Sequence, residues 1–252
     1  MTVIPLLQVL RRSAIRLLLG LLVLGGCVFL QPSRGLLASQ TRSAPPVQQT
    51  QRSEPDRINR PTSEPYKGDL SIFENPGRDE RLQINRVMDL LGIKQGSGVA
   101  DIGAGSGWFT VRAARRVGDR GSVYAVEINR DYLKHIDERA RQEHLANIHT
   151  VLGKDDDPLL PTGSVDSVLI LKTYHEIAQP VRLLIHLRDA MRPGALMGII
   201  DRYGNGSDHG IDSKVVIGEA RRAGFKLINQ YDFVKGDGMD YFIVFEVQPE
   251  LH

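Results

Sequence analysis

The chain has 252 residues, 41% of them hydrophobic and 25% charged, a composition that excludes a disordered or collagen-like protein overall. Its net charge of +2 conceals a division: residues 1–60 carry eight Arg against two acids, and the remainder carries 24 basic and 28 acidic side chains. No nucleic-acid partner is expected for a folded part with a net charge of −4, and a single cysteine, Cys27, excludes an intrachain disulfide or a thiolate zinc cluster.

In chain order, Arg11, Arg12 and Arg16 precede an apolar run from Leu17 to Leu30, the charged-then-apolar layout of a secretory signal. Leu24-Gly25-Gly26-Cys27 resembles the lipobox of bacterial lipoproteins, and cleavage after Ala38 is an alternative. That run is short for a membrane-spanning helix, though Ala14 to Leu30 could marginally cross as an uncleaved anchor with Arg16 snorkelling. Residues 1–38 are therefore expected to be a signal peptide, a lipoprotein signal or a membrane anchor. Residues 39–66, rich in Ser, Pro, Gln, Arg and Thr with no apolar period, are expected to be a disordered linker. A single domain is expected over 67–252.

Within that domain apolar strands alternate with amphipathic helices, the pattern of a parallel sheet covered on both faces. Asp79 is expected to cap one helix running through Leu91, with Leu82, Val87, Leu90 and Leu91 on one face. Strands are predicted at Gly98–Ile102, Ser122–Glu127, Ile148–Leu152, Val165–Leu171 and Leu196–Ile200. Helices are predicted after Gly107 and over Arg130–Glu143, Val181–Met191 and Ser213–Ala223. Phe225–Phe233 and Tyr241–Val247 read as a closing antiparallel hairpin joined through Lys235-Gly236-Asp237-Gly238. The fold class is thus α/β, a doubly wound seven-stranded sheet, mostly parallel, with a C-terminal antiparallel pair.

The chemistry-bearing residues follow the strands, where ligands of an open α/β sheet bind. After the first strand comes Asp101-Ile102-Gly103-Ala104-Gly105-Ser106-Gly107, whose alternate glycines let backbone approach a ligand closely. Trp108 stands where a dinucleotide-binding fingerprint needs its third glycine, which disfavours a nicotinamide-dependent reductase. Glu127, 26 residues after Asp101, ends the second strand, where its carboxylate can accept two neighbouring hydroxyls. The fourth strand ends in Lys172-Thr173-Tyr174-His175-Glu176, and His175 is the best-placed proton acceptor near pH 7. Asp201, Arg202, Tyr203 and His209 follow the fifth strand and fit either an acceptor side or a surface loop. The seven His show no ligand spacing, so no metal site is expected from sequence.

Asp-x-Gly-x-Gly-x-Gly before a helix, with an acid one strand later, resembles class I S-adenosylmethionine-dependent methyltransferases of the type 11/25-like group. Arg192-Pro193-Gly194-Ala195 resembles the turn before their fifth strand. The resemblance covers roughly residues 70–247 and implies S-adenosyl-L-methionine as cofactor. Asp101, Gly103, Ala104, Gly105 and Gly107 would hold its methionine end and Glu127 its ribose. Many relatives have Gly-Asp-Ala at the adenine; here Lys154 takes the acid's place, leaving Asp155 or Asp156 for that role. The resemblance places the acceptor beside Tyr174 and His175, the catalytic candidates. The Asn-Pro-Pro-Tyr motif of amide and nucleobase amino methyltransferases is absent, which disfavours a nucleobase amino acceptor. A small-molecule acceptor is expected because no added substrate domain and no basic face are read in the sequence. A non-catalytic S-adenosylmethionine-binding protein is the alternative. S-Adenosylmethionine is made in the cytoplasm, whereas the N-terminus is that of an exported or membrane-associated protein. An anchor holding the domain at the cytoplasmic face would reconcile the two, although Arg residues ahead of the run favour the opposite orientation.

Overall fold

The computed structural model describes residues 58, 60–206 and 209–248; the expected signal or anchor at 1–38 lies outside them. Seven strands form one sheet in the order β3-β2-β1-β4-β5-β7-β6. They are β1 (Gly98–Ile102), β2 (Ser122–Glu127), β3 (Ile148–Leu152), β4 (Val165–Leu171), β5 (Met191–Arg202), β6 (Phe225–Tyr231) and β7 (Asp240–Val247). β1 to β5 run parallel, and β7 inserts antiparallel between β5 and β6. The chain leaves β1 toward β2 and β3, then returns to lay β4 on the other side of β1. The cavity mouth belongs at that reversal, beyond the carboxyl ends of β1 and β4.

Strand alternation builds two cores. Val168 and Ile170 of β4 face one side with Leu184, Leu187, Met197 and Phe245, while Leu169 and Leu171 face the other with Val99, Phe109, Val117 and Phe242. Helices cover both layers: α3 (Trp108–Val117), α4 (Arg130–Gln142), α5 (Pro180–Ala190) and α6 (Ser213–Arg222). All five residues of β1 are buried, as expected for a central parallel strand with helices on both faces.

The helix expected over Asp79–Leu91 is instead two, α1 (Arg78–Leu82) and α2 (Ile84–Leu90), broken at Gln83 with φ +47°. The break turns both Leu82 and Ile84 inward, and the Gln83 amide donates to the Phe233 carbonyl at 3.1 Å. Asp79 does not cap it: Gly77 holds the N-cap position, and Asp79 accepts from Arg112 at 2.8 Å. β5 starts earlier than expected because Met191 pairs with Val165, after which the register shifts across Arg192–Ala195 so that Leu196 meets Ser167.

The end of the expected linker is packed onto the domain rather than free. Arg60 donates from its backbone to the Ala178 carbonyl at 3.0 Å and through its guanidinium to Glu219 at 2.7 and 2.8 Å. Tyr66 is held by the Tyr132 hydroxyl, which donates to its carbonyl at 2.6 Å, and by an edge-on contact with Phe73. Residues 62–66 thereby form a strap along the cavity wall.

Candidate functional site

A cavity of about 610 Å³ opens at the reversal point, within the range of small-molecule and cofactor sites. Its floor is the glycine loop. Gly103 and Gly105 have φ of +70° and +56°, a region that side chains avoid. A Cβ on Gly103 would stand 2.2 Å from Thr173 Cγ2, so the two strand ends meet only because this residue is Gly. A Cβ on Gly105 would meet no neighbour, so its requirement is conformational. Ala104 lines the cavity beside them. Gly107 does not line it; with φ +77° it starts α3 and lies over Ile136.

Asp101 reaches the cavity at the root of this loop, 2% exposed. Burial pushes its carboxyl up to about 6, against the pull of the Thr110 hydroxyl, which donates to Oδ2 at 2.6 Å, and of nearby Arg78. Arg78 also lines the cavity, a residue not singled out from sequence. Its guanidinium and that of Arg112 lie 4.3 and 4.0 Å from the Trp108 ring centroid. The residue that replaces a third glycine thus holds a cation beside Asp101. The signal lay in Trp108, but only the fold shows which arginines it meets.

Glu127 ties the end of β2 to the glycine loop. Its Oε2 accepts the Gly105 N–H at 3.1 Å, and Oε1 accepts the Ile128 and Asn129 N–H groups at 2.9 and 3.2 Å. Burial raises its pKa, opposed by these three donors. Of roughly four acceptor sites on a carboxylate, about one remains, on Oε2. A fork to two hydroxyls therefore has to share or displace the Gly105 bond. Ile128, 52% exposed, presents an apolar face next to it. Of the two adenine candidates, Asp155 lines the cavity with Lys154, whereas Asp156 does not and pairs with Arg182 at 3.0 Å.

The two catalytic candidates separate. His175 lines the cavity, but Tyr174 does not: its fully buried ring points into the core, and its hydroxyl donates to Glu219 at 2.9 Å. Burial and the adjacent Glu219 raise its pKa well above that of an ordinary phenol, so a proton-transfer role for Tyr174 is corrected to a structural one. His175 sits in the short 3₁₀ turn Tyr174–Glu176 and is fixed by Asp201, fully buried on β5. Asp201 accepts the His175 backbone N–H at 3.0 Å and its Nδ1 at 2.9 Å. With Nδ1 committed to the carboxylate, Nε2 is the ring nitrogen left for the cavity. Glu176 Oε1 lies 3.6 Å from that Nε2 and 3.4 Å from His209 Nδ1. The Glu176 Oε2 accepts the Ser63 N–H of the strap at 2.6 Å. Burial acts to raise the Glu176 pKa, but the Ser63 bonds and the two imidazoles outweigh it and hold the group below the usual range. Arg202 and His209 line this end too, while Tyr203 does not; its hydroxyl accepts from Gln230 at 2.9 Å.

Residues 99–194 match the family model described as a methyltransferase domain. The chain is 32% identical over 83 residues to nocamycin O-methyltransferase of Saccharothrix syringae, covering 33% of this chain and 30% of that one. It is 24% identical over 154 residues to the ubiquinone/menaquinone biosynthesis C-methyltransferase UbiE of Marinomonas sp., covering 56% of this chain and 61% of the relative. The chain thus spans less than two thirds of the length of either curated relative. A crystal structure of a SAM-dependent methyltransferase from Aquifex aeolicus superposes with a TM-score of 0.63 at 23% identity, covering 71% of this chain and 98% of that one. Residues 99–194 are thus similar to a methyltransferase domain, and the fold around them is shared with an S-adenosylmethionine-dependent methyltransferase.

Proposed function

We propose that the protein transfers a methyl group from S-adenosylmethionine to a small-molecule acceptor. The observation that carries this reading is the Glu127–Gly105 hydrogen bond, which makes the acid after β2 and the glycine loop after β1 one wall of one cavity. The residues present fit the cofactor. Gly103 and Gly105 keep that wall clear of side chains, Asp101 offers a carboxylate to an ammonium group, and Arg78 offers a cation to a carboxylate. Glu127 retains acceptor capacity for ribose, and Ile128 and Asp155 border the place for adenine. When bound, S-adenosylmethionine supplies an electrophilic methyl on a sulfonium, whose transfer depends chiefly on alignment.

His175 lies at the opposite end, where an acceptor has to enter. Asp201 orients its ring, and Nε2 is positioned to take a proton from an O–H or N–H acceptor. The strap at 62–66 and the loop carrying His209 narrow this end, which together with the acidic folded part supports a small molecule over a nucleic acid. Residues 1–38 are proposed to export the domain or anchor it to a membrane, a reading supported by Arg11, Arg12 and Arg16 ahead of the apolar run. Among the described residues no helix is long and apolar enough to cross a membrane.

A non-catalytic cofactor-binding protein is the second reading, favoured by Lys154 in the place of the adenine acid. Calorimetric titration of the full chain with S-adenosylhomocysteine tests both. One equivalent per chain is expected, and no binding at millimolar concentration would overturn both. Transfer of labelled methyl to a panel of small hydroxy and amino compounds then separates them: turnover supports the enzyme, and binding without turnover supports the alternative.

A further inference from the structure

We propose that His175, Glu176 and His209 form an open site for a divalent cation of the zinc, manganese or iron(II) type at the acceptor end of the cavity. These residues show no ligand spacing in sequence. The fold assembles them from the turn after β4 and the loop after β5, and their donor atoms lie within 4.8 Å of one another. Ligands 2.0–2.2 Å from a tetrahedral ion stand about 3.4 Å apart. Glu176 Oε1 meets that spacing, at 3.4 Å from His209 Nδ1 and 3.6 Å from His175 Nε2. Binding would draw the exposed His209 ring inward to close the third edge.

The surroundings are those of ligands already oriented. Asp201, fully buried, takes His175 Nδ1 at 2.9 Å and leaves Nε2 as the donor, the carboxylate–imidazole pairing that metal-bound histidines use. Ser63 holds Glu176 Oε2 at 2.6 Å, so Oε1 is the oxygen turned to the imidazoles. His209 sits at φ +56° in a loop closed by the Gly206 N–H to the Gly210 carbonyl at 2.8 Å and the Ile211 N–H to the Arg202 carbonyl at 2.8 Å. Two imidazoles and one carboxylate favour borderline transition ions over magnesium or calcium, which prefer all-oxygen shells. Three protein ligands leave positions open toward the cavity, where oxygen donors of an acceptor can complete the coordination.

Cation binding stands independently of the methyltransferase reading, but its consequence for the acceptor rests on it. With the ion bound, His175 Nε2 is a ligand, so an acceptor with an anionic or easily ionised oxygen is the class that fits. The test uses full-length protein without a histidine tag, stripped with chelator and titrated calorimetrically with Zn²⁺, Mn²⁺ and Mg²⁺. One equivalent of Zn²⁺ or Mn²⁺ is expected, with Mg²⁺ weaker by at least tenfold. His209→Ala and Glu176→Gln should each weaken Zn²⁺ binding at least tenfold. Asp201→Asn should weaken it 10- to 100-fold through the lost orientation of His175. Thermal melts verify that each variant is folded, and His209→Ala, at an exposed position, keeps the test available if the buried Asp201 variant fails. Absence of stoichiometric Zn²⁺ and Mn²⁺ binding, or binding that His209→Ala and Glu176→Gln leave unchanged, would overturn the proposal. Parallel titration with S-adenosylhomocysteine separates the two ideas, since metal binding without cofactor binding leaves this site standing and removes the methyltransferase reading.

Discussion

The two ends of the cavity are built differently. At the proposed cofactor end, the glycine loop and Glu127 come from the ends of adjacent parallel strands, β1 and β2, within about one helix of chain. At the proposed acceptor end, His175 depends on Asp201, Glu176 on Ser63, and Tyr174 on Glu219 and Arg60. Asp201 on β5 is 26 residues from His175, but Glu219 on α6 is 45 residues from Tyr174, and Ser63 and Arg60 lie 113 and 114 residues from Glu176 and Tyr174. A local motif fixes the first end, whereas the second exists only once the whole domain has closed. Substitutions at the acceptor end should therefore cost stability as well as function, while at the cofactor end the buried Asp101 should show function and stability in opposition.

The strap anchor gives the largest expected effect. Arg60 and Glu219 are a nearly buried pair, with side chains 9% and 8% exposed. Arg60→Ala leaves the Glu219 charge buried beside the Tyr174 hydroxyl with its paired cation gone, and a loss of about 3–5 kcal/mol in denaturant-measured stability is expected. Replacing the pair together, Arg60→Met with Glu219→Leu, should recover much of that loss. A loss below about 1 kcal/mol for Arg60→Ala would show that the strap is not a structural part of the acceptor end.

Gly103→Ala comes next. Its Cβ at 2.2 Å from Thr173 Cγ2 and φ of +70° combine steric and conformational costs, about 2–4 kcal/mol together. Gly105→Ala meets open space and should cost only about 1 kcal/mol, for its backbone conformation. Equal losses at the two positions would mean that the loop yields freely where β1 meets β4.

Asp101 sharpens the contrast with a change of sign. Its carboxyl is raised from 3.8 to about 6 by burial, so the fold binds a proton more tightly than the unfolded chain does. The resulting stability is fully present below pH 3.8 and is lost as pH rises through about 6. Asp101→Asn, which stays neutral, should therefore stabilise the domain by about 2 kcal/mol above pH 7 while weakening cofactor binding. Denaturant melts at pH 5 and pH 8 check this: the gain should be larger at pH 8. In the wild type, cofactor affinity should rise as pH passes 6 and Asp101 ionises.

The same contrast explains what the sequence could show. Alternating strands and helices, the glycine turn and the spacing to Glu127 are short-range signals, and the seven strands lie close to their expected positions. Gln83 was invisible because a left-handed Gln in an amphipathic helix leaves no compositional mark; burial of both Leu82 and Ile84 imposes it. The strap reads as polar linker because its anchors are single long-range contacts: Arg60 finds Glu219 159 residues away, Ser63 finds Glu176 113 away and Tyr66 finds Tyr132 66 away. Tyr174 and His175 are adjacent in sequence, and only the 3₁₀ turn decides which faces the cavity and which the core. Asp201 and His209 were visible as residues following the fifth strand expected at Leu196–Ile200, but their approach to His175 is set by the β4–β5 pairing.

The central claim is that one cavity holds two separable ends, cofactor at Glu127 and acceptor at His175. It is tested most directly by S-adenosylhomocysteine affinity in Glu127→Ala and His175→Asn, measured side by side with the wild type. Charge-assisted hydrogen bonds are worth about 1.5–3 kcal/mol, so Glu127→Ala should weaken binding about 10- to 100-fold. His175→Asn should leave affinity within about twofold and remove its effect only at transfer. Equal losses in the two variants, or full affinity in Glu127→Ala, would contradict the account.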